Sequence, residues 1–178
     1  MTTHKQFSAA QRLYCGGVIT AGLAITLQSV SKLYLYPQSS EWLILAALTL
    51  LTGSFTLRMT QLAIRISGSD AFVFAAVLLF GTDVATVVVA VDSLVATVVM
   101  RREHRSVFRS LYNLAVASLS LWTASTVFYW FVGSTPLPER VVLTDLLGPL
   151  FILASVYFLI NTWLVAVVLS FEQHTAIP

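Results

Sequence analysis

Charge is what this chain has least of. Only 10% of its 178 residues are Asp, Glu, Lys or Arg, against about 25% in soluble domains. With 57% apolar residues and a mean hydropathy of +0.85, a water-facing globule of this make-up would not stay dispersed. Cysteine is almost missing as well. Cys15 stands alone, which excludes an intrachain disulfide and leaves the redox compartment unread. The three histidines, His4, His104 and His174, all fall in tails or loops. No serine–histidine or metal-ligand cluster can therefore assemble within the apolar runs, and no catalytic residue, metal or cofactor is expected. The glycines form no phosphate-cradling pattern. The net charge is only +2 and the basic residues are dispersed, which argues against a nucleic-acid partner.

What the chain does have is long apolar runs. A bilayer-spanning helix needs roughly 20 mostly apolar residues, so six spans with short loops use nearly the whole length. The expected class is all-α: a polytopic membrane helix bundle with six membrane helices and no separate soluble domain. The spans fall at about 12–36, 41–57, 71–80, 83–100, 107–132 and 146–171. The first follows Lys5 and Arg12, as a signal peptide would. However, Tyr14 stands where a lipoprotein signal needs a small residue, and the run is long for a signal core, so a retained helix is expected.

Residues 71–100 decide the topology. As one helix they would be about 45 Å long, too long for a core of about 30 Å without strong tilt. Gly81-Thr82-Asp83 offers a glycine stop followed by capping side chains. Broken there, the chain puts Lys5, Arg12, Arg58, Arg65, Arg101, Arg102, Arg105 and Arg109 on one side, and only Lys32 and Arg140 on the other. Unbroken, it puts five on each side. Cationic loops stay cytoplasmic during insertion, so the break is preferred and both termini are expected in the cytoplasm. The third element, Ala71 to Phe80, is then only about 15 Å long. It cannot cross alone, and irregular backbone at membrane depth survives only when buried in protein or lining a cavity. Before it, Leu62, Ile64 and Ile66 alternate with smaller or charged residues, which fits a short strand or a tilted surface helix. Ser67-Gly68-Ser69-Asp70 supplies turn and N-cap chemistry.

Polar residues at depth carry the functional reading. Asp92 lies near the centre of the fourth span, where a carboxylate costs at least about 2.5–3.5 kcal/mol and should face the bundle interior. Asn161 is at similar depth in the sixth span, and Tyr157 shares its face one turn earlier. These three residues make a buried interhelical network or a ligand site. No second carboxylate is expected at the level of Asp92. Asp83, at a helix start, reads as a cap. Asn113 reads as packing against the fourth helix or capping local backbone. The hydroxyls of Ser118, Ser120, Thr123, Ser125 and Thr126 can bond back to their own helix. Gly17 and Ala21, at four-residue spacing, suit close helix approach, either inside the bundle or onto a partner subunit. Arg101, Arg102 and Arg105 read as positive-inside flanks that can meet anionic lipid headgroups or a cytoplasmic partner.

Two segments carry a resemblance: 71–81 with the small-residue helix, basic turn and Leu111-Tyr-Asn-Leu-Ala115 that follow, and 156–166. They resemble the N-terminal membrane region of bacterial signalling proteins with HD-GYP or GGDEF domains for cyclic-di-GMP turnover. Thr82-Asp83 stands where such regions often have a proline. The resemblance implies a sensory or anchoring membrane region in a bacterial inner membrane, as a stand-alone version or a piece of a longer protein with a cytoplasmic signalling domain. In outline the chain is also similar to substrate-binding subunits of energy-coupling-factor vitamin importers, which dock transporter subunits through small residues on the first helix. The expectation is a non-catalytic sensory or small-ligand-binding module in the lipid bilayer, with a hydrophobic or small-molecule ligand. Importer subunit and purely structural anchor are the alternatives.

Overall fold

The computed structural model describes residues 9–35, 40–54, 57–58, 65–66, 69–100, 107–133 and 143–174. Within these, helices α1 (Ala9–Leu35), α2 (Trp42–Ser54), α3 (Ser69–Met100), α4 (Val107–Val132) and α5 (Leu143–His174) carry the fold. Strands β1 (Leu57–Arg58) and β2 (Arg65–Ile66) form a minimal antiparallel pair, with Leu57 opposite Ile66 and Arg58 opposite Arg65. The strand-like alternation in the sequence thus yields two paired residues at its end. Four of the helices are long and apolar enough to cross a membrane, which marks a multi-pass membrane protein.

α4 is the central helix. It buries Leu114, Ala115, Val116, Ala117 and Ser118 in succession, which only a helix enclosed on all sides can do. It packs against α1, α3 and α5. α5 instead buries one stripe, Leu146, Leu153, Tyr157 and Leu164, and exposes Phe151, Phe158, Leu159 and Trp163. Side chains of that kind are at ease outside the bundle only in hydrocarbon. Pro149 lies inside α5, where its missing N–H removes one helical hydrogen bond. α5 begins at Leu143, a little ahead of the expected start at about 146.

The expected third and fourth helices, 71–80 and 83–100, form the single element α3 with no intervening loop. Among the described residues there are five helices, where the sequence reading expected six. The break itself is present, at Gly81 alone. Its dihedrals, φ 87° and ψ −178°, belong to a region essentially reserved for glycine. A straight helix would hold Ser69 and Asp92 about 34 Å apart at 1.5 Å per residue. Their side chains are instead hydrogen-bonded. The segments before and after Gly81 therefore fold back against each other as two arms. Val73, Ala76 and Val77 of the first arm share one core with Ala85 and Val89 of the second.

Close contact holds α1 to α4. A Cβ on Gly22 would collide with the Cα, Cβ and carbonyl oxygen of Ala115, so the two backbones touch there. About one turn along α4 from that contact, the hydroxyls of Tyr14 and Tyr112 both donate to the Leu164 carbonyl, at 3.3 and 2.8 Å. They tie α1, α4 and α5 together around buried Cys15.

Candidate functional site

The fold-back of α3 builds a polar spot inside the bundle. Ser69 and Asp70 open the first arm and Asp92 lies midway along the second, so the reversal at Gly81 brings the starts and middles of the arms to one level. The Ser69 hydroxyl donates to the Asp92 carboxylate. The Tyr157 hydroxyl, presented by α5, donates to the Asp70 carboxylate. The two carboxylates lie within electrostatic reach of each other. Ser69 and Tyr157 are buried and both aspartates are half-buried.

Aromatic rings border this polar spot. Phe74, one turn above Asp70, meets Tyr157 edge to face at 5.4 Å between centroids. Phe158 lies 5.3 Å from Tyr157 and 6.3 Å from Phe74. The Oγ of Ser93, next to Asp92 in the chain, is buried without a hydrogen-bond partner. Ser120 Oγ is in the same condition, one residue before Leu121, which shares a core with Val73, Val89 and Tyr157. A cluster of two carboxylates, hydroxyls and ring edges can hold a proton or a small positively charged group.

The expected site residues are only partly brought together. Asp92 and Tyr157 take part, each through a neighbour: Tyr157 bonds Asp70, and Asp92 receives its hydrogen bond from Ser69. Asn161 is half-buried one turn further along α5. The expectation that Asp92 stands alone at its depth is overturned by Asp70. Read only as turn and N-cap chemistry, Ser67-Gly68-Ser69-Asp70 gives Asp70 no place in the expected site. The signal was available: Asp70 and Asp92 each stand eleven residues from Gly81, so a reversal there brings them to one level.

Asp83 also departs from its expected role as a cap. Its carboxylate accepts from Ser29 Oγ at 3.1 Å and from Lys32 Nζ at 3.2 and 3.3 Å, pinning the Gly81 bend to α1. Asn113 is exposed rather than packed inside. Thr123, Ser125 and Thr126 bond back to carbonyls of α4 as expected, whereas the Oγ atoms of Ser118 and Ser120 are buried without a partner. Gly17 and Ala21 face outward, and nothing lies within 4 Å of a Cβ placed on Gly17. The close approach inside the bundle is made by Gly22 instead. Arg101, Arg102 and Arg105 lie outside the described residues, as do the side chains of Arg58 and Arg65. Among the described residues no group of three or more His, Cys, Asp or Glu side chains is placed to hold a metal ion. No protein-family model, curated protein or solved structure matches this chain.

Proposed function

We propose that the protein is a membrane-embedded sensory or small-ligand-binding module, and that its ligand brings positive charge to the Asp70–Asp92 pair. The pairing of those carboxylates carries the reading. Like charges about 4 Å apart repel by about 4 kcal/mol at an effective dielectric of 20, and by half that at twice the distance. A hydrogen bond to a charged group returns about 1.5–3 kcal/mol, so the bonds from Ser69 and Tyr157 offset much of that repulsion. A protonated amine between the carboxylates would replace the repulsion by attraction. The ring edges and faces of Phe74, Tyr157 and Phe158 suit such a group, since aromatic faces attract cations by about 0.5–2 kcal/mol.

In this reading α2 and the first arm of α3 are short elements, the chain reverses at Gly81, and six helical segments traverse or enter the bilayer. Both termini and the arginine-rich turn at 101–109 are then cytoplasmic, consistent with the positive-inside distribution, in a bacterial inner membrane.

Binding of benzylamine to the full chain in lipid nanodiscs tests the proposal, with benzyl alcohol as the uncharged control. A thermal shift with the amine alone, lost in Asp92→Asn and in Asp70→Asn, is expected. Equal responses to amine and alcohol would sink it.

The open face of Gly17 and Ala21 favours a second reading, a capture subunit of a small-molecule importer that docks a partner helix there. Copurification with a coupling membrane subunit and its ATPases supports that reading; a monomer with no partner at native expression counts against it.

A further inference from the structure

We propose that the outward face of α1 is a dimerisation surface for a second copy of this chain, with the Gln28 amides of the two copies hydrogen-bonded to each other across a two-fold axis. The inference is independent of the Asp70–Asp92 pair and goes beyond both functional readings.

The amide is the starting observation. Between Arg12 and Lys32 α1 rises about 30 Å, the thickness of the hydrocarbon core. Gln28 stands one turn inside Lys32, about 6 Å from that boundary, on the exposed side of the helix. Helical side chains lean toward the helix N-terminus, so the amide is carried away from the nearer boundary and deeper into hydrocarbon. Among the described residues none hydrogen-bonds it. An amide so placed is costly until it finds a partner. The hydroxyls of Thr20 and Ser31, also exposed on α1, already bond carbonyls of their own helix.

The surface around the amide is shaped for a helix. Gly17, Ala21, Ala24, Gln28 and Ser31 follow at alternating steps of four and three residues, and all five are exposed. They fall in a stripe about 80° wide at 3.6 residues per turn. Their average step of 3.5 residues is the period that keeps two helices in contact along a left-handed crossing, and small side chains let the backbones approach. Nothing inside this chain uses that smallness. Gly22 makes the close approach to α4, whereas no neighbouring atom lies within 4 Å of a Cβ on Gly17.

A second copy suits this face better than an unlike partner. A two-fold axis along the membrane normal sets matching residues of the two copies at one depth. An amide carries donors and an acceptor, so it can pair with its own image; a carboxylate or an ammonium group could not. The stripe itself is uncharged. Lys32 borders it but is paired with Asp83 of α3, and Arg12 projects from a different side of α1, so like charges do not meet.

The experiment follows dimerisation of the labelled full chain in liposomes by single-molecule photobleaching over a dilution series in lipid. The parent should pass from dimer to monomer as lipid is added. Gln28→Leu should move the midpoint to about three- to twentyfold higher protein density, the range spanned by interhelical polar bonds in membranes. Ala21→Phe should abolish the dimer. Cysteine oxidation in a Cys15→Ser background maps the face: Ala24→Cys should form disulfide-linked dimers, and Phe151→Cys on the exposed face of α5 should not. Ala21, Ala24, Gln28 and Phe151 are all exposed, so the variants should keep the melting temperature of the monomer. A chain that stays monomeric at every density overturns the proposal, as does Gln28→Leu with the midpoint of the parent. So does a disulfide yield at Phe151→Cys equal to that at Ala24→Cys. A coupling subunit captured through Ala24→Cys in place of a second copy also overturns it, and favours the importer reading instead.

Discussion

Ser69 donates a hydrogen bond to Asp92 across a helix that, if straight, would hold them far apart. That one contact establishes the course of the chain through α3 more directly than any helix boundary. It also makes the dihedral at Gly81 a condition of the fold, since no other described residue of α3 departs from helical geometry.

Gly81→Ala should therefore destabilise the protein by about 1–3 kcal/mol, the cost of forcing a side chain into a glycine-only region. Gly148→Ala, helical and with open space at its Cβ position, should be neutral. Thermal unfolding in detergent compares the two. Equal melting temperatures would mean that the bend relaxes without cost.

Gly22 and Gly17 lie on different faces of α1, and the same substitution should separate them. Gly22→Val drives a side chain into Ala115 and should cost about 1–3 kcal/mol by overpacking. Gly17→Val meets nothing within the chain. If Gly17→Val lowers stability in the isolated protein, its face is covered in a way the fold does not show.

The Lys32–Asp83 pair is partly solvent-accessible, with side chains 47% and 29% exposed. Its coupling energy should be correspondingly small, about 0–1 kcal/mol. A double-mutant cycle with Lys32→Met and Asp83→Asn measures it. A coupling well above that range would show that the bend depends on charge pairing as well as on glycine.

Tyr157→Phe removes a buried donor while preserving the ring that packs on Phe74. Leaving Asp70 short of a partner should cost about 1–3 kcal/mol and leave the benzylamine response in place, since both carboxylates and the ring remain. Loss of the response with the fold intact would show that the hydroxyl, rather than the carboxylate pair, holds the amine.

Much of this arrangement was legible in the residues, for identifiable reasons. A glycine followed by capping residues, in a run too long for the bilayer, pointed to a break at Gly81 because length and charge balance are global constraints. The depth of Asp92 followed from counting helix rise. The partner of Asp92 did not, because depth along a strand of sequence says nothing about which folded segment returns to the same level. Gly17 and Gly22 illustrate the same limit. Small residues announce that helices can meet, but the face that meets is set by the tilt and order of the neighbours. Asp83 was read as a local cap because Ser29 and Lys32 are distant in sequence, and no periodicity links them.

α2 spans about 20 Å and the first arm of α3 about 18 Å at ordinary helix rise, whereas α4 and α5 exceed the hydrocarbon thickness. The bundle thus has a tall wall and a low one. Lipid beside the low wall must thin or wet to match it, at a fraction of a kcal/mol per ångström. The molecule should lean accordingly and favour thinner bilayers, a preference written into the lengths of two helices rather than into any recognition residue.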